Sequence, residues 1–253
     1  MTDNSNRLLS DEAVVLYVKN SQTVDKYAVC FTRKYGKLRF ISYGARYEKN
    51  VSGRLLQPFA NLHLDLQQGS KIDKLRSCEL LHMPPQYDVK QMAYAAVAAE
   101  LTDVLTEDKM PQPELYDLLN QTLGILLQRN PRLAVLSFAI KLLALTGFAP
   151  QMNHCVNCSE AVSANEEVWF SPLQGGIICD SCKAVYSGDG LESCSCSTRN
   201  LWYWLEELDF TAPKPFKVLG RDLMELEKLL YKFIFFQTDR QLNSLNFLNQ
   251  LGI

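Results

Sequence analysis

Histidine is scarce in this chain. Only His63, His82 and His154 occur in 253 residues, and none stands at a spacing from another, or from an acid, that builds a hydrolytic metal site or a nucleophilic dyad. Glycine is thin as well, at 12. There is no phosphate loop, dinucleotide-binding glycine pattern, nucleophile elbow or His-Glu-x-x-His run. Paired acids such as Glu206 and Glu207 sit in patterns that read as solvated helix faces. Together these absences argue against an enzyme. The first residues, "MTDNSNRLLSDE", lack an apolar signal segment. The longest apolar run, "LAVLSFAIKLLALTGFA", carries Lys141 in its middle and reads as a buried core helix rather than a membrane span. The expected setting is the cytoplasm, with no membrane partner.

What is present is ordinary in bulk and uneven in distribution. Hydrophobic residues make up 47% and charged residues 21%, the balance of a globular protein that owns a core without help from a metal. Net charge is −2, yet residues 1–80 hold 13 Lys/Arg against 8 Asp/Glu, and residues 81–253 hold 13 against 20. Between Lys26 and Arg54 stand eight bases and a single acid, Glu48. A basic first third is attached to an acidic body.

Two periodicities meet near "HMPPQYD". Before it, "AVVLYVK", "KYAVCFT", "KLRFISYG" and "NLHLDLQQG" alternate in short runs separated by turn residues, the mark of strands. About five strands in so few residues predict a small barrel or sandwich with no room for intervening helices. After it the period lengthens to three and four. Helices are expected from Asp88 as N-cap, from Pro113 at a first turn, and from Asn130-Pro131 to a stop at Gly147. Helical pattern resumes in "TRNLWYWLEELDF", "GRDLMELEKLLYKFIFFQT" and "QLNSLNFLNQL". The organisation expected is α+β and multi-domain: a barrel over residues 1–82, then an all-α domain over 83–253 with an insert at about 150–198.

That insert holds Cys155 and Cys158, then, after twenty residues, Cys179 and Cys182. Eight cysteines in a chain without an export signal are expected to be reduced thiols, and reduced thiols at paired Cys-x-x-Cys spacing are metal ligands. Two such turns close a tetrahedron around one zinc ion, leaving no position for water or substrate, so the site is expected to be structural. An iron site uses the same spacing. Gly175-Gly176 marks a hairpin turn between the pairs, as in zinc ribbons. Cys194 and Cys196 read as an exposed loop that could exchange with the main four ligands. Cys30 and Cys78 fall in strands and read as small buried hydrophobes.

The basic stretch "TRKYGKLRFISYGARYEKNVSGRL" interleaves Arg33, Lys34, Lys37, Arg39, Arg46, Lys49 and Arg54 with Tyr35, Phe40, Tyr43 and Tyr47. In a strand from Lys37, the side chains of Lys37, Arg39, Ile41 and Tyr43 share one face, while Leu38 and Phe40 fill the barrel from the other. Bases that track phosphate beside aromatic rings that stack on nucleobases are how small barrels hold single strands. The same pattern also fits an ordinary solvated strand face. DNA-binding candidates are Arg33, Lys34, Lys37, Arg39, Tyr43, Arg46, Lys49 and Arg54.

Several segments in this order resemble the bacterial recombination mediators of the RecO family: "FTRKYGKLRFISYGAR" (31–46), "LLQPFANLHLDL" (55–66), "FAIKLLALTGFAPQMNHCVNC" (138–158), "GGIICDSC" (175–182) and "SLNFLNQL" (244–251). The resemblance implies an N-terminal OB-fold barrel that contacts single- and double-stranded DNA, and a helical domain carrying zinc on Cys155, Cys158, Cys179 and Cys182. It implies a protein without a catalytic centre. Such a protein anneals strands coated by single-stranded-DNA-binding protein, binds that protein's acidic C-terminal tail, and helps load RecA with RecR and, in some bacteria, RecF. It would gather at the nucleoid during repair. The residue pattern leaves a second reading open, a zinc-stapled protein–protein adaptor with little affinity for DNA.

Overall fold

A computed structural model describes residues 7–163, 165–186, 190–212 and 216–252. Five strands come first: β1 (Leu8–Asn20), β2 (Lys26–Thr32), β3 (Gly36–Ser42), β4 (Asn61–Gln67) and β5 (Asp73–His82), with a short helix α1 (Val51–Leu55) between β3 and β4. Their order is β1-β2-β3-β5-β4, and β1 pairs with both β2 and β4, so the sheet closes on itself. All neighbours are antiparallel except β3 and β5, which meet in parallel through Phe40↔Asp73 and Ile41↔Lys74. The alternation read from the sequence sets which side chains point inward. In β4, Leu62, Leu64 and Leu66 are buried, while Asn61, His63, Asp65 and Gln67 lie on the other face. Those leucines join Val15, Cys30, Leu38, Phe40 and Leu56 in one apolar cluster. Each such side chain contributes on the order of 2 kcal/mol by leaving water.

Helices follow: α2 (Val89–Leu105), α3 (Pro113–Ile125) and α4 (Pro131–Leu145). Asp88 caps α2 in a reciprocal box, accepting from the Gln91 amide at 2.7 Å while Gln91 Oε1 accepts from the Asp88 amide at 3.0 Å. Pro113 opens α3 and Pro131 opens α4, as expected from proline's missing donor. Gly147 stops α4 in a left-handed conformation, φ 79°, and the Phe148 amide reaches back to the Leu143 carbonyl. Beyond α4 come β6 (Val168–Ser171), β7 (Gly176–Ile178) and β8 (Glu192–Cys194), a small sheet in the order β7-β6-β8. The chain ends with α5 (Cys196–Glu207), α6 (Gly220–Thr238) and α7 (Asn243–Gln250). Among the described residues no helix is long and apolar enough to cross a membrane. Lys141, in the middle of the apolar α4, donates to the Leu208 carbonyl at 2.6 Å.

Strand gives way to helix after His82, but compactness divides the chain elsewhere. One unit is Met1–Val135 with Asn243–Ile253, the other Leu136–Leu242. The physical reason lies in α2. It is buried on most of its circumference, through Ala93, Tyr94, Val97, Ala98 and Leu101 among others, as a helix enclosed on several sides must be. It packs on β1 and on the returning α7. The Glu100 carboxylate of α2 accepts from the Asn243 and Ser244 amides at 2.9 and 2.8 Å, capping α7.

Candidate nucleic-acid interface and metal centre

The outer face of β3 is divided along its length. At one end Lys37 is 3% exposed. Its ammonium donates to the carbonyls of Asp103 and Thr106, the latter at 2.6 Å, and stands 3.1 Å from the Asp103 carboxylate. Thr106 is the C-cap of α2, so Lys37 supplies donors to a helix end that has carbonyls without intrahelical partners. Arg39 follows it, with Nη2 on Asp103 at 2.6 Å, Nε on Asp108 at 3.0 Å and Nη1 donating to the Tyr17 hydroxyl. Arg33 pairs with Asp117 and lies over the Tyr116 ring. Gly36 permits this covering. Its φ is 68°, and a Cβ there would stand 2.0 Å from the Met110 carbonyl oxygen of the overlying segment. The expectation that Lys37 faces outward into solvent is therefore corrected. It does lie on the outer face, but the end of α2 and residues 106–110 cover that face.

The other end of β3 is open. Tyr43 is 55% exposed, and Tyr47 and Tyr27 are exposed beside it in the fold. Lys74, across the parallel β3–β5 pairing, sits over the Tyr43 ring at 5.9 Å. Arg46, Lys49 and Arg54 are exposed. The backbone carrying them is well anchored. Asn50 caps α1 through the Gly53 amide at 2.8 Å and donates to the Tyr43 and Gly44 carbonyls. Asp25 accepts from the Gly44 amide at 2.7 Å, and Arg46 donates to the Thr23 carbonyl at 3.0 Å. Lys26 donates to the Gly53 carbonyl at 2.6 Å; burial, and then the charge of Arg46, hold its ammonium below the usual lysine range. Lys34 is exposed, its ammonium 4.0 Å from Asp11. Sequence reading missed Lys74 and Tyr27 as members of this surface. The alternation in "DKLRSCELLH" was weak, and nothing in it announced a parallel pairing with β3.

Cys155 and Cys158 lie in the turn before Ser159, which has φ 62°. Cys179 follows β7, and Cys182 lies in a 3-10 turn over Asp180–Tyr186. The four sulfurs all lie within 4.8 Å of one another. The Cys158–Cys179 Sγ separation is 3.8 Å, which matches the edge of about 3.8 Å in a tetrahedron with Zn–S bonds of about 2.3 Å. The cage receives protein donors as a thiolate site requires. The Cys179 amide points to Cys155 Sγ at 3.4 Å, and Asn157 Nδ2 to Cys182 Sγ at 3.2 Å, with Tyr186 donating to Asn157 Oδ1 at 2.9 Å and so orienting it. Burial works against ionisation of Cys155, but hydrogen bonds from the backbone near Cys158, Cys179 and Asn157 bring its thiol down to about 6. Cys179 is pushed up by burial and by its neighbouring thiols. The donor set fits a four-coordinate metal. Gly176 helps build the cage, since a Cβ there would meet the Gln151 carbonyl oxygen at 2.5 Å, and that carbonyl accepts from the Ile177 amide.

His154 is exposed and outside this cluster. Cys194 corrects the loop expectation. It is fully buried in β8, paired with Val168 of β6, and burial pushes its thiol up to about 12. Cys196 opens α5 and is half-buried. Cys30 lies in the barrel core and Cys78 is partly buried against it.

The chain thus combines a closed five-stranded sheet with one open basic, aromatic end and, in its other unit, a four-sulfur cage able to hold a metal. Comparison with known families makes this combination specific. Residues 7–84 match the family model described as Recombination protein O N terminal, and residues 86–246 match Recombination protein O C terminal. The chain is 32% identical over 249 residues to the DNA repair protein RecO of Symbiobacterium thermophilum, covering 96% of this chain and 98% of that one. It is 26% identical to the DNA repair protein RecO of Moorella thermoacetica, covering 97% and 92%, and 30% identical over 185 residues to that of Alkaliphilus metalliredigens, covering 71% and 74%. The chain belongs to the RecO family of DNA repair proteins.

Proposed function

We propose that the protein is a non-catalytic recombination mediator. It binds single- and double-stranded DNA on the open end of the barrel, anneals complementary strands coated by single-stranded-DNA-binding protein, and helps load RecA together with RecR, and with RecF where that partner is present. The single observation that carries the reading is the open surface of Tyr43, Tyr47, Tyr27, Lys74, Arg46, Lys49 and Arg54 on an anchored scaffold. The strand order, with β3 parallel to β5, supports an OB-fold, whose strand 2–3 face and neighbouring loops take oligonucleotides. Tyrosine rings offer stacking platforms, and the bases neutralise phosphates, lowering strand–strand repulsion so that pairing proceeds without bond chemistry. Recruitment to coated DNA would come from the coating protein's acidic tail. Arg33, Lys37 and Arg39 are assigned a different task, holding helices to the barrel, and Lys34 is kept as a peripheral contact.

One zinc ion on Cys155, Cys158, Cys179 and Cys182 is proposed as a structural cofactor, filled by four thiolates and closed to substrate. Its place of action would be the cytoplasm, at the nucleoid during repair. The test is annealing of complementary oligonucleotides coated by single-stranded-DNA-binding protein with and without its acidic tail. Tail-dependent annealing that falls in Arg46→Ala/Lys49→Ala/Arg54→Ala supports the mediator. A folded, zinc-loaded protein with no annealing at any salt would favour the adaptor.

A further inference from the structure

The strand-bearing unit contains a cleft of about 570 Å³ that the proposed DNA surface does not use. It is lined by Leu16 and Phe59 and by Ala96 and Ala99 of α2, with Tyr17 and Met92 among the other lining residues. The two alanines, three apart on one helix face, leave the space open, and Tyr17 and Met92 are 40% and 45% exposed. Phe59 is held in the left-handed region at φ 68°, rare for a bulky residue. Its amide donates to the Val15 carbonyl at 2.8 Å, and its ring packs edge-on against Tyr87. The volume suits one or two large apolar side chains.

Charge decides which ones. The lining includes two acids, Glu100 and Asp103, and no base. Asp103 is already matched by Lys37 and Arg39. Glu100 accepts only from neutral donors, the amides and side chains of Asn243 and Ser244, and among the described residues no cation pairs with it. Its carboxylate stands on the wall of an apolar cleft at the N-terminus of α7, offset there by neutral helix donors rather than by a cation. We propose that this cleft is a docking site for a short segment of a partner protein in which a large apolar side chain is flanked by lysine or arginine. An acidic segment of the same apolar content is disfavoured by Glu100, which separates this site from the one that would take an acidic tail.

The test uses the full chain and two fluorescent, acetylated peptides, Lys-Leu-Phe-Lys and Asp-Leu-Phe-Asp, measured by anisotropy. The lysine peptide is expected to bind at least about fivefold tighter than the aspartate peptide, the size of effect one exposed charge pair produces. Ala96→Leu, which fills the cleft from a half-buried position, is expected to abolish that binding with the melting temperature retained. Glu100→Gln is expected to erase the preference between the peptides. Should that variant melt early through its cap on α7, raised salt on the wild type reads the same term, weakening the lysine peptide alone. Absence of lysine-peptide binding, equal binding of both peptides to the wild type, or undiminished binding to Ala96→Leu overturns the proposal. None of these outcomes touches strand annealing, which is read separately.

Discussion

The two ends of strand β3 carry similar residues and do opposite things. Lys37 and Arg39 at one end lie under the end of α2, Lys37 on its carbonyls and both on the carboxylates of Asp103 and Asp108. Tyr43, with Arg46 and Lys49 just beyond the other end, stands in solvent on a turn pinned by Asn50 and Asp25. A base is available to phosphate only if the fold has not already given it an anion or a helix terminus. The count of bases in a basic stretch therefore overstates the binding surface, and the acids of the following helices decide by how much.

The largest expected effect separates the barrel from the cysteine unit. Chelating the proposed zinc, or Cys155→Ser/Cys182→Ser, should remove on the order of 10 kcal/mol from the insert's folding, because among the described residues a small apolar set, Val156, Val162, Trp169, Tyr186, Leu191 and Ile178, packs around its sulfurs. Near-ultraviolet circular dichroism of Trp169 should change while affinity for an oligonucleotide persists. Next, Lys37→Ala should cost about 3 kcal/mol in urea unfolding by leaving the buried Asp103 and Thr106 carbonyls without their charged donor and Asp103 with Arg39 as its remaining cation, and Lys37→Met should cost less by keeping the apolar stem. Tyr43→Ala should weaken single-strand binding by about tenfold through a lost stacking face, with melting temperature unchanged. Smallest in stability is Arg46→Ala/Lys49→Ala/Arg54→Ala, within about 0.5 kcal/mol by urea unfolding. A stability loss in this triple variant as large as that in Lys37→Ala would erase the difference between the two ends.

Much of this was legible in the sequence, and for definite reasons. Period-two alternation placed Leu38, Phe40, Leu62 and Leu64 inward, and cap chemistry at Asp88, Pro113 and Pro131 placed helix starts, because both signals are local. Cys-x-x-Cys turns fix two sulfurs each, so the cage was legible apart from the hydrogen bonds from Asn157 and Tyr186 around it. Lys37 was misread as open to solvent because the group that covers it, the end of α2, lies far along the chain and no periodicity encodes it. Cys194 was misread as exposed because its burial depends on β8 pairing with β6. Lys74 joined Tyr43 only through a parallel strand contact, which local pattern does not announce.

The most direct measurement of the central claim is the salt dependence of single-stranded oligonucleotide affinity for three proteins: wild type, Arg46→Ala/Lys49→Ala/Arg54→Ala, and Lys37→Met/Arg39→Gln. Each lost phosphate contact should flatten the logarithmic slope by about 0.7. The account predicts a slope shallower by roughly 2 in the triple variant and unchanged in the double variant. A slope that flattens in the double variant and holds in the triple would place DNA on the covered end of β3 and contradict it.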